Sequence, residues 1–471
     1  MNLFLRNQTV FERLVISGGF AFLAMAASMR HVHSQRINYA GPPINYQTAS
    51  LDNVVSRLDE KLADGRVILE HDEEFGYLKS LLNELQVPVE SQTLVFSKTS
   101  LQLRRISPRR PRAIYFGDEV YVGYCWRGDM LEIAVTDPVQ GAIFYTLDQE
   151  PSDKKPSRMI RDRGACLSCH SSSRTQNVPG YLVRSGYVDG AGHYLLGRGS
   201  FLSDATSPFR ERWGGWYVTG SHGDMRHMGN TISIKDDTEF DFEKGANLVD
   251  LSTKFRAEHY LSPHSDLVAL MVLEHQSQMH NAMAQANYES RRAIHQSEEM
   301  NELLERPKGY LSDSAKRRIE KAATNVLTHL LFVDEFPLEC TVSGSSEYVS
   351  VFEKLGPFDS HGRTLRQFDL ENRMFRYPCS YLIYSEAFAG LPEIVRNRVL
   401  ERLAGILMAD AGQANDQDNK LILSWADEER QVVHEILYDT LDLYAKRIDS
   451  LTEKAVDTTG HPTSDETPNS D

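Results

Sequence analysis

Apolar residues follow three patterns along the chain. Between residues 51 and 86 the period is helical. Val54, Val55, Leu58 and Leu62 form one set, and Leu78, Leu81, Leu82 and Leu85 return on a common face. From residue 87 the runs become short, β-branched and aromatic: Thr93–Phe96, Ala113–Phe116, Val120–Tyr124, Leu131–Val135 and Ala142–Leu147. Gly117-Asp118, Gly128-Asp129 and Asp137-Pro138 punctuate them, which predicts a small antiparallel sheet or meander. After a loop-rich stretch, Ser262-Pro263 precedes a run over 264–306 with no Gly or Pro, the pattern of one long helix. Val268, Val272, His275, Met279, Met283 and Ala286 fall on one stripe of it.

Residues 307–451 read as helical. Asp313-Ser314 opens a helix over Ala315–Glu335, Pro392–Met408 repeats the pattern, and Ser424-Trp-Ala-Asp427 is a capping box ahead of Val432, Val433, Ile436 and Leu437. The fold class predicted is therefore α+β and predominantly α. A small antiparallel β region precedes a loop-rich segment, and a long helix and a helical C-terminal region follow.

The N-terminus sets the compartment. Arg6 and Arg13 precede the apolar run Leu14–Met29, and Ala24-Met25-Ala26 fits a small-x-small cleavage site, so residues 1–26 read as a secretory signal peptide. The expected location is periplasmic or otherwise exported. If the segment stays uncleaved, it anchors the chain to the membrane, facing the periplasm. Four regions follow: an α+β region over 27–150, a region over 151–306 that ends with the long helix, a helical domain over 307–451, and a disordered acidic tail over 452–471.

The chemistry centres on Cys166-Leu167-Ser168-Cys169-His170. C-x-x-C-H is the signature of covalent haem c attachment. The two thiols bond the haem vinyl groups, and the adjacent imidazole reaches the iron. A redox-active C-x-x-C or half of a zinc site are the other readings. Zinc would need two further ligands, and there is no second C-x-x-C in the chain. The pentapeptide resembles the c-type cytochromes, and with it a larger, uncharacterised bacterial family of cytochrome-c-like proteins. That resemblance implies one haem c with its iron, His170 as proximal ligand, attachment outside the cytoplasmic membrane, electron transfer, and a protein redox partner. It also implies a methionine some tens of residues later as the sixth iron ligand. Met225 and Met228 lie 55 and 58 residues after His170, in a Gly-flanked loop that also holds His222 and His227. His275, on the long helix, is a fifth distal candidate. Met and His also serve as core filler, so each candidate has a packing reading beside the functional one.

Further groups could complete such a site. Trp213 and Trp216 could wall a porphyrin or anchor a core. Residues 150–165 are basic, and Arg161 is a candidate partner for a haem propionate. Glu274 could serve as acid or base if the protein were a peroxidase. Cys125, Cys340 and Cys379 remain, with a Cys340–Cys379 disulfide or separate buried thiols as alternatives.

A net charge of −15 argues against nucleic acid as a partner and favours a basic redox partner. At 471 residues the chain exceeds what carriage of one haem requires. Three functions stay open: an electron-transfer cytochrome, a peroxidase-like haem oxidoreductase with an open distal site, and a haem-based sensor.

Overall fold

The computed structural model describes residues 39–151, 157–233, 240–408, 421 and 425–459. The signal-peptide segment, Lys154, Lys155 and the Ser424 cap lie outside them.

Two short helices lead in. Asn53 caps α1 (Val54–Ala63) by accepting the Ser56 amide at 2.9 Å, and α2 (Leu78–Glu84) follows. The expected strands then form. They are β1 (Thr93–Val95), β2 (Arg112–Phe116), β3 (Val120–Cys125), β4 (Met130–Asp137) and β5 (Gly141–Asp148), joined as an antiparallel meander. Two edges were not legible as strands. β6 (Ile160–Arg161) pairs with β5. β9 (Trp216–Tyr217) pairs with β1 from far along the chain, giving a seven-stranded sheet in the order β6-β5-β4-β3-β2-β1-β9. Between these edges lie β7 (Arg184–Gly186) and β8 (Ser200–Leu202), which pair with each other. Gly214 lies against β7 so closely that a Cβ there would meet the Gly186 carbonyl oxygen at 2.3 Å. Glycine at this position is what lets the two backbone segments approach so closely.

Both faces of the sheet are covered. Tyr115, Val122, Tyr124, Leu131, Ile133 and Ile143 face one cluster with α1 and α2. Ile114, Tyr121, Ala134 and Phe144 face the other, which reaches the C-terminal helices. Burial on both sides is why the strands read as near-continuous apolar runs.

The long helix, α4 (Leu267–Leu303), matches its expected span and is capped by Asp266. Its environment differs from expectation. Instead of one apolar stripe, every residue from Leu267 to Ala284 is buried. The helix runs between the sheet and the C-terminal elements α5 (Asp313–Leu330), α6 (Tyr348–Glu353), α7 (Glu386–Ala389) and α8 (Glu393–Met408). Its polar side chains are therefore tied across in both directions. Gln276 donates to the Gly117 carbonyl at 2.7 Å and accepts from Tyr381 Oη at 2.6 Å. His280 Nδ1 lies 3.0 Å from Tyr121 Oη and 3.1 Å from Thr136 Oγ1.

The final helices are α9 (Asp427–Thr440) and α10 (Asp442–Thr459). α9 is capped by Glu429, which accepts the Ala426 amide at 3.0 Å. Residues 452–459 continue α10, which corrects the disordered tail expected to begin at 452. All five cysteines are free, so Cys340 and Cys379 are separate thiols, the latter fully buried. The structure is α+β, with helix outweighing strand. No described helix is long and apolar enough to cross a membrane.

Burial pushes the His280 imidazole down to about 3 from 6.5. In that window the unfolded chain binds a proton that the folded chain refuses, so stability falls as the pH falls below 6.5. One such group contributes up to about 1.4 kcal/mol per pH unit. His280→Gln should lower stability but flatten its decline between about pH 6 and 4.5 by up to that amount. Parallel urea-denaturation slopes for both proteins would contradict the assignment.

Candidate haem site

The C-x-x-C-H residues close a tight turn that the preceding loop organises. The Asp162 carboxylate accepts the amides of Gly164, Ala165 and Cys166 at 2.9, 3.2 and 3.1 Å. The chain then makes one helical turn, α3 (Leu167–His170), where a loop was expected. The Cys169 and His170 amides both donate to the Cys166 carbonyl, at 3.1 and 3.0 Å. An i, i+3 spacing on one turn puts the two thiols on the same side.

His170 is held by the chain ten residues on. Its Nδ1 lies 2.9 Å from the Gly180 carbonyl oxygen. A carbonyl can only accept, so Nδ1 carries the proton and Nε2 presents its lone pair. The Gly180 amide returns a hydrogen bond to the His170 carbonyl at 2.9 Å. Burial shifts the imidazole below its usual range, so the ring is neutral at pH 7. A neutral ring oriented through Nδ1–H to a backbone carbonyl is what a metal-ligating histidine needs.

Gly180 and Tyr181 are themselves clamped by α4. Asn281 Oδ1 accepts the Tyr181 amide and its Nδ2 donates to the Tyr181 carbonyl, both at 2.8 Å. A Cβ on Gly180 would sit 2.2 Å from Asn281 Oδ1. With both ends of the amide committed, Asn281 has no freedom to withdraw.

Cys166, Cys169 and His170 open onto a cavity of about 450 Å³, within the roughly 300–1,000 Å³ usual for cofactor pockets. One face of the sheet forms its floor. Arg112 and Ile114 come from β2, Tyr121 and Gly123 from β3, Glu132 and Ala134 from β4, and Phe144 and Thr146 from β5. Cross-strand register aligns Ile114, Gly123, Glu132 and Thr146 in one row and Tyr121, Ala134 and Phe144 in the next. Gly123 leaves a gap in this floor, because a Cβ there would meet no atom closer than 3.4 Å. A glycine inside a strand that no neighbour requires marks a place where a ligand can approach the backbone. The Phe144 and His170 ring centroids are 4.9 Å apart. Tyr181, Val183, Trp216 and Leu273 complete the apolar walls, and Lys98, Thr99, Ser100, Leu101 and Leu103, between β1 and β2, also line the cavity.

The polar part of the wall escaped the sequence reading. Arg112 Nη1 donates to Glu132 Oε2 at 2.7 Å, and Ser100 Oγ donates to Glu132 Oε1 at 2.6 Å. Arg112 Nε is buried with no partner. Lys98 also lines the cavity. The available signal was Arg112 at the head of a β-run, two strands from a Glu at the matching inward position, and only the sheet register reveals it.

Several expected site residues are placed elsewhere. Trp216 lines the cavity, with its Nε1 donating to the Arg184 carbonyl at 2.8 Å. Trp213 does not. It is fully buried against Phe209 and His227 in the core. Arg161 donates to the Tyr46 carbonyl and lies over the Tyr46 ring, outside the cavity wall. None of the five distal candidates lines the cavity. His222 Nε2 accepts the Asn247 amide at 2.9 Å, and His227 Nδ1 accepts the Gly229 amide at 2.9 Å. Met225 and Met228 are buried, the latter beneath Ser185 Oγ. His275 Nε2 lies 2.7 Å from Ser380 Oγ, and its ring stacks on Phe332. The spacing of these residues serves the packing of the 204–230 segment and α4. Glu274 is also outside the wall, fully buried and paired with Arg212 at 3.1 Å.

The Cys166 thiol is pushed up to about 12 by burial and the nearby Asp162 carboxylate. It stays protonated at neutral pH, where thiol–disulfide exchange needs a thiolate. Among the described residues no group of three or more His, Cys, Asp or Glu converges as an all-protein metal cage. Porphyrin iron does not need one, because the macrocycle supplies four of its ligands.

No family model, curated protein or solved structure matches the chain.

Asn281→Ala orphans a buried amide and a buried carbonyl of Tyr181, at a cost of about 2–4 kcal/mol. Gly180→Ala drives a Cβ into the same clamp. Both variants should unfold at lower urea concentration than the parent. Unfolding free energies within about 0.5 kcal/mol of the parent would show that the clamp does not stabilise the fold.

Proposed function

We propose that this chain is an exported redox protein carrying one haem c. Cys166 and Cys169 would bond its vinyl groups, and His170 Nε2 would be its proximal iron ligand. The observation that carries the reading is the His170 ring, fixed through Nδ1–H at the wall of an apolar cavity that also takes both thiols. The donor set suits the group. Each thiol adds across a vinyl double bond, forming a carbon–sulfur bond while its hydrogen goes to the neighbouring carbon. A protonated Cys166 fits that addition better than it fits disulfide exchange. Ile114, Ala134, Phe144, Val183 and Trp216 offer flat and branched apolar walls. The unpartnered Nε–H of Arg112, with Lys98 beside the same cavity, offers cations to the propionates, the role first assigned to Arg161. Bound haem supplies an iron that exchanges one electron at a time. Export rests on the Arg6, Arg13 and Leu14–Met29 pattern, and a protein redox partner on the cytochrome resemblance.

One observation favours a ligand-accepting haem over a six-coordinate carrier. Among the described residues the cavity wall has His170 as its sole histidine and has no methionine. An iron without a strong sixth ligand binds peroxide or a diatomic gas. The chain is then a haem-dependent oxidoreductase or sensor in addition to an electron carrier. Glu132, with Arg112 bonded to it, supplies a carboxylate and a guanidinium at the cavity.

Co-expression with a cytochrome c maturation system tests both levels. The reduced protein should bind carbon monoxide at once, with a shifted Soret band. A low-spin haem that ignores carbon monoxide would overturn the open distal side and leave the carrier. The double variant Cys166→Ala/Cys169→Ala should lose haem stain on a denaturing gel. Stain that persists would overturn the attachment site.

A further inference from the structure

A second concavity, of about 360 Å³, lies beside the start of β2 and the end of β3. Its wall holds Arg109, Arg110, Lys254, Arg256, Trp126 and His259, and no carboxylate. The chain carries a net charge of −15, and most of its partly buried arginines are ion-paired. Arg109, Arg110 and Arg256 are exposed at this recess and Lys254 is half-buried. Among the described residues none of them has a carboxylate within 4.0 Å. Lys254 loses some proton affinity to burial and to Lys244, as expected where like charges gather in a partly dry recess.

The recess is built rather than loose. Tyr217 Oη donates to the Pro108 carbonyl at 2.6 Å and Tyr260 Oη to the Pro111 carbonyl at 2.8 Å, pinning the Arg109-Arg110 turn from both sides. Trp126 and His259 stack with centroids 3.9 Å apart and planes 14° from parallel. Arg127 and Arg110 also lie over the indole, at 4.5 and 5.4 Å. Both ring nitrogens of His259 are buried without a partner.

We propose that this recess binds a small, multiply charged oxyanion, held by Arg109, Arg110, Lys254 and Arg256 with His259 completing the polar wall. Guanidinium forks match the paired oxygens of phosphoryl and carboxylate groups alike, and these are the two sources of the shared chemistry. The site stands independently of the haem reading, because none of its residues lines the first cavity. It also reverses the local expectation drawn from net charge: the molecule is acidic, but this recess attracts anions.

Isothermal titration of the full chain with inorganic pyrophosphate, citrate and poly-glutamate, in separate arms, tests the proposal. We expect saturable binding of pyrophosphate, citrate or both, weakening as salt rises. Pyrophosphate alone identifies a phosphoryl ligand, and citrate alone a polycarboxylate. Arg110→Gln/Arg256→Gln changes two exposed residues, so its melting temperature should stay put while affinity falls at least about tenfold. No heat from either small anion at millimolar concentration would overturn the proposal, and so would equal affinity in the double variant. Binding of poly-glutamate alone would mean that the recess reads an acidic protein surface, and would overturn the small-molecule assignment.

Discussion

The structure turns on one side-chain amide. Asn281, in the buried middle of α4, bonds the amide and the carbonyl of Tyr181 at 2.8 Å each. That fixes Gly180, whose carbonyl sets the His170 ring and whose amide returns to the His170 carbonyl. Helix, loop and candidate iron ligand are thus linked by four hydrogen bonds in series. The clamp works because α4 cannot move: it is enclosed by the sheet on one side and by α5 to α8 on the other. A buried amide left unpaired costs about 1–3 kcal/mol, so the low-polarity surroundings that threaten Asn281 also hold it to its partner.

The same enclosure explains the placement of the cavity. A sheet buried on both faces needs packing everywhere, yet Ile114, Gly123, Ala134 and Phe144 face open space beside the two thiols. Apolar surface left uncovered in an otherwise closed interior asks for an apolar occupant. Arg112, Glu132 and Ser100 form one hydrogen-bonded polar group in the wall, and Lys98 lines the same cavity.

Much of the scaffold was legible from pattern alone. The five meander strands and α4 formed where sequence placed them, because short β-branched and aromatic runs between turn residues, and a long stretch without Gly or Pro, record local geometry. C-x-x-C-H was legible for a related reason, since its chemistry is local to one turn. The rest depended on contacts between distant residues. Trp216 joins the sheet against Val95, over 100 positions earlier, and no local pattern announces that pairing. Arg112 and Glu132 meet through strand register, and Asn281 finds Tyr181 through the docking of α4. The distal candidates were chosen by spacing along the chain, and spacing does not tell which residues reach the cavity wall. Here His222 and His227 are spent on the amides of Asn247 and Gly229, and His275 on Ser380.

The intact mass of the protein, purified under denaturing conditions after co-expression with a cytochrome c maturation system, tests the central claim most directly. The account expects the mature polypeptide plus one haem, with the added mass on the tryptic peptide containing Cys166 and Cys169. A polypeptide with no added mass, while a control cytochrome in the same cells is fully loaded, would contradict it. The C-x-x-C-H turn would then have to be explained as a structural element of the cavity wall.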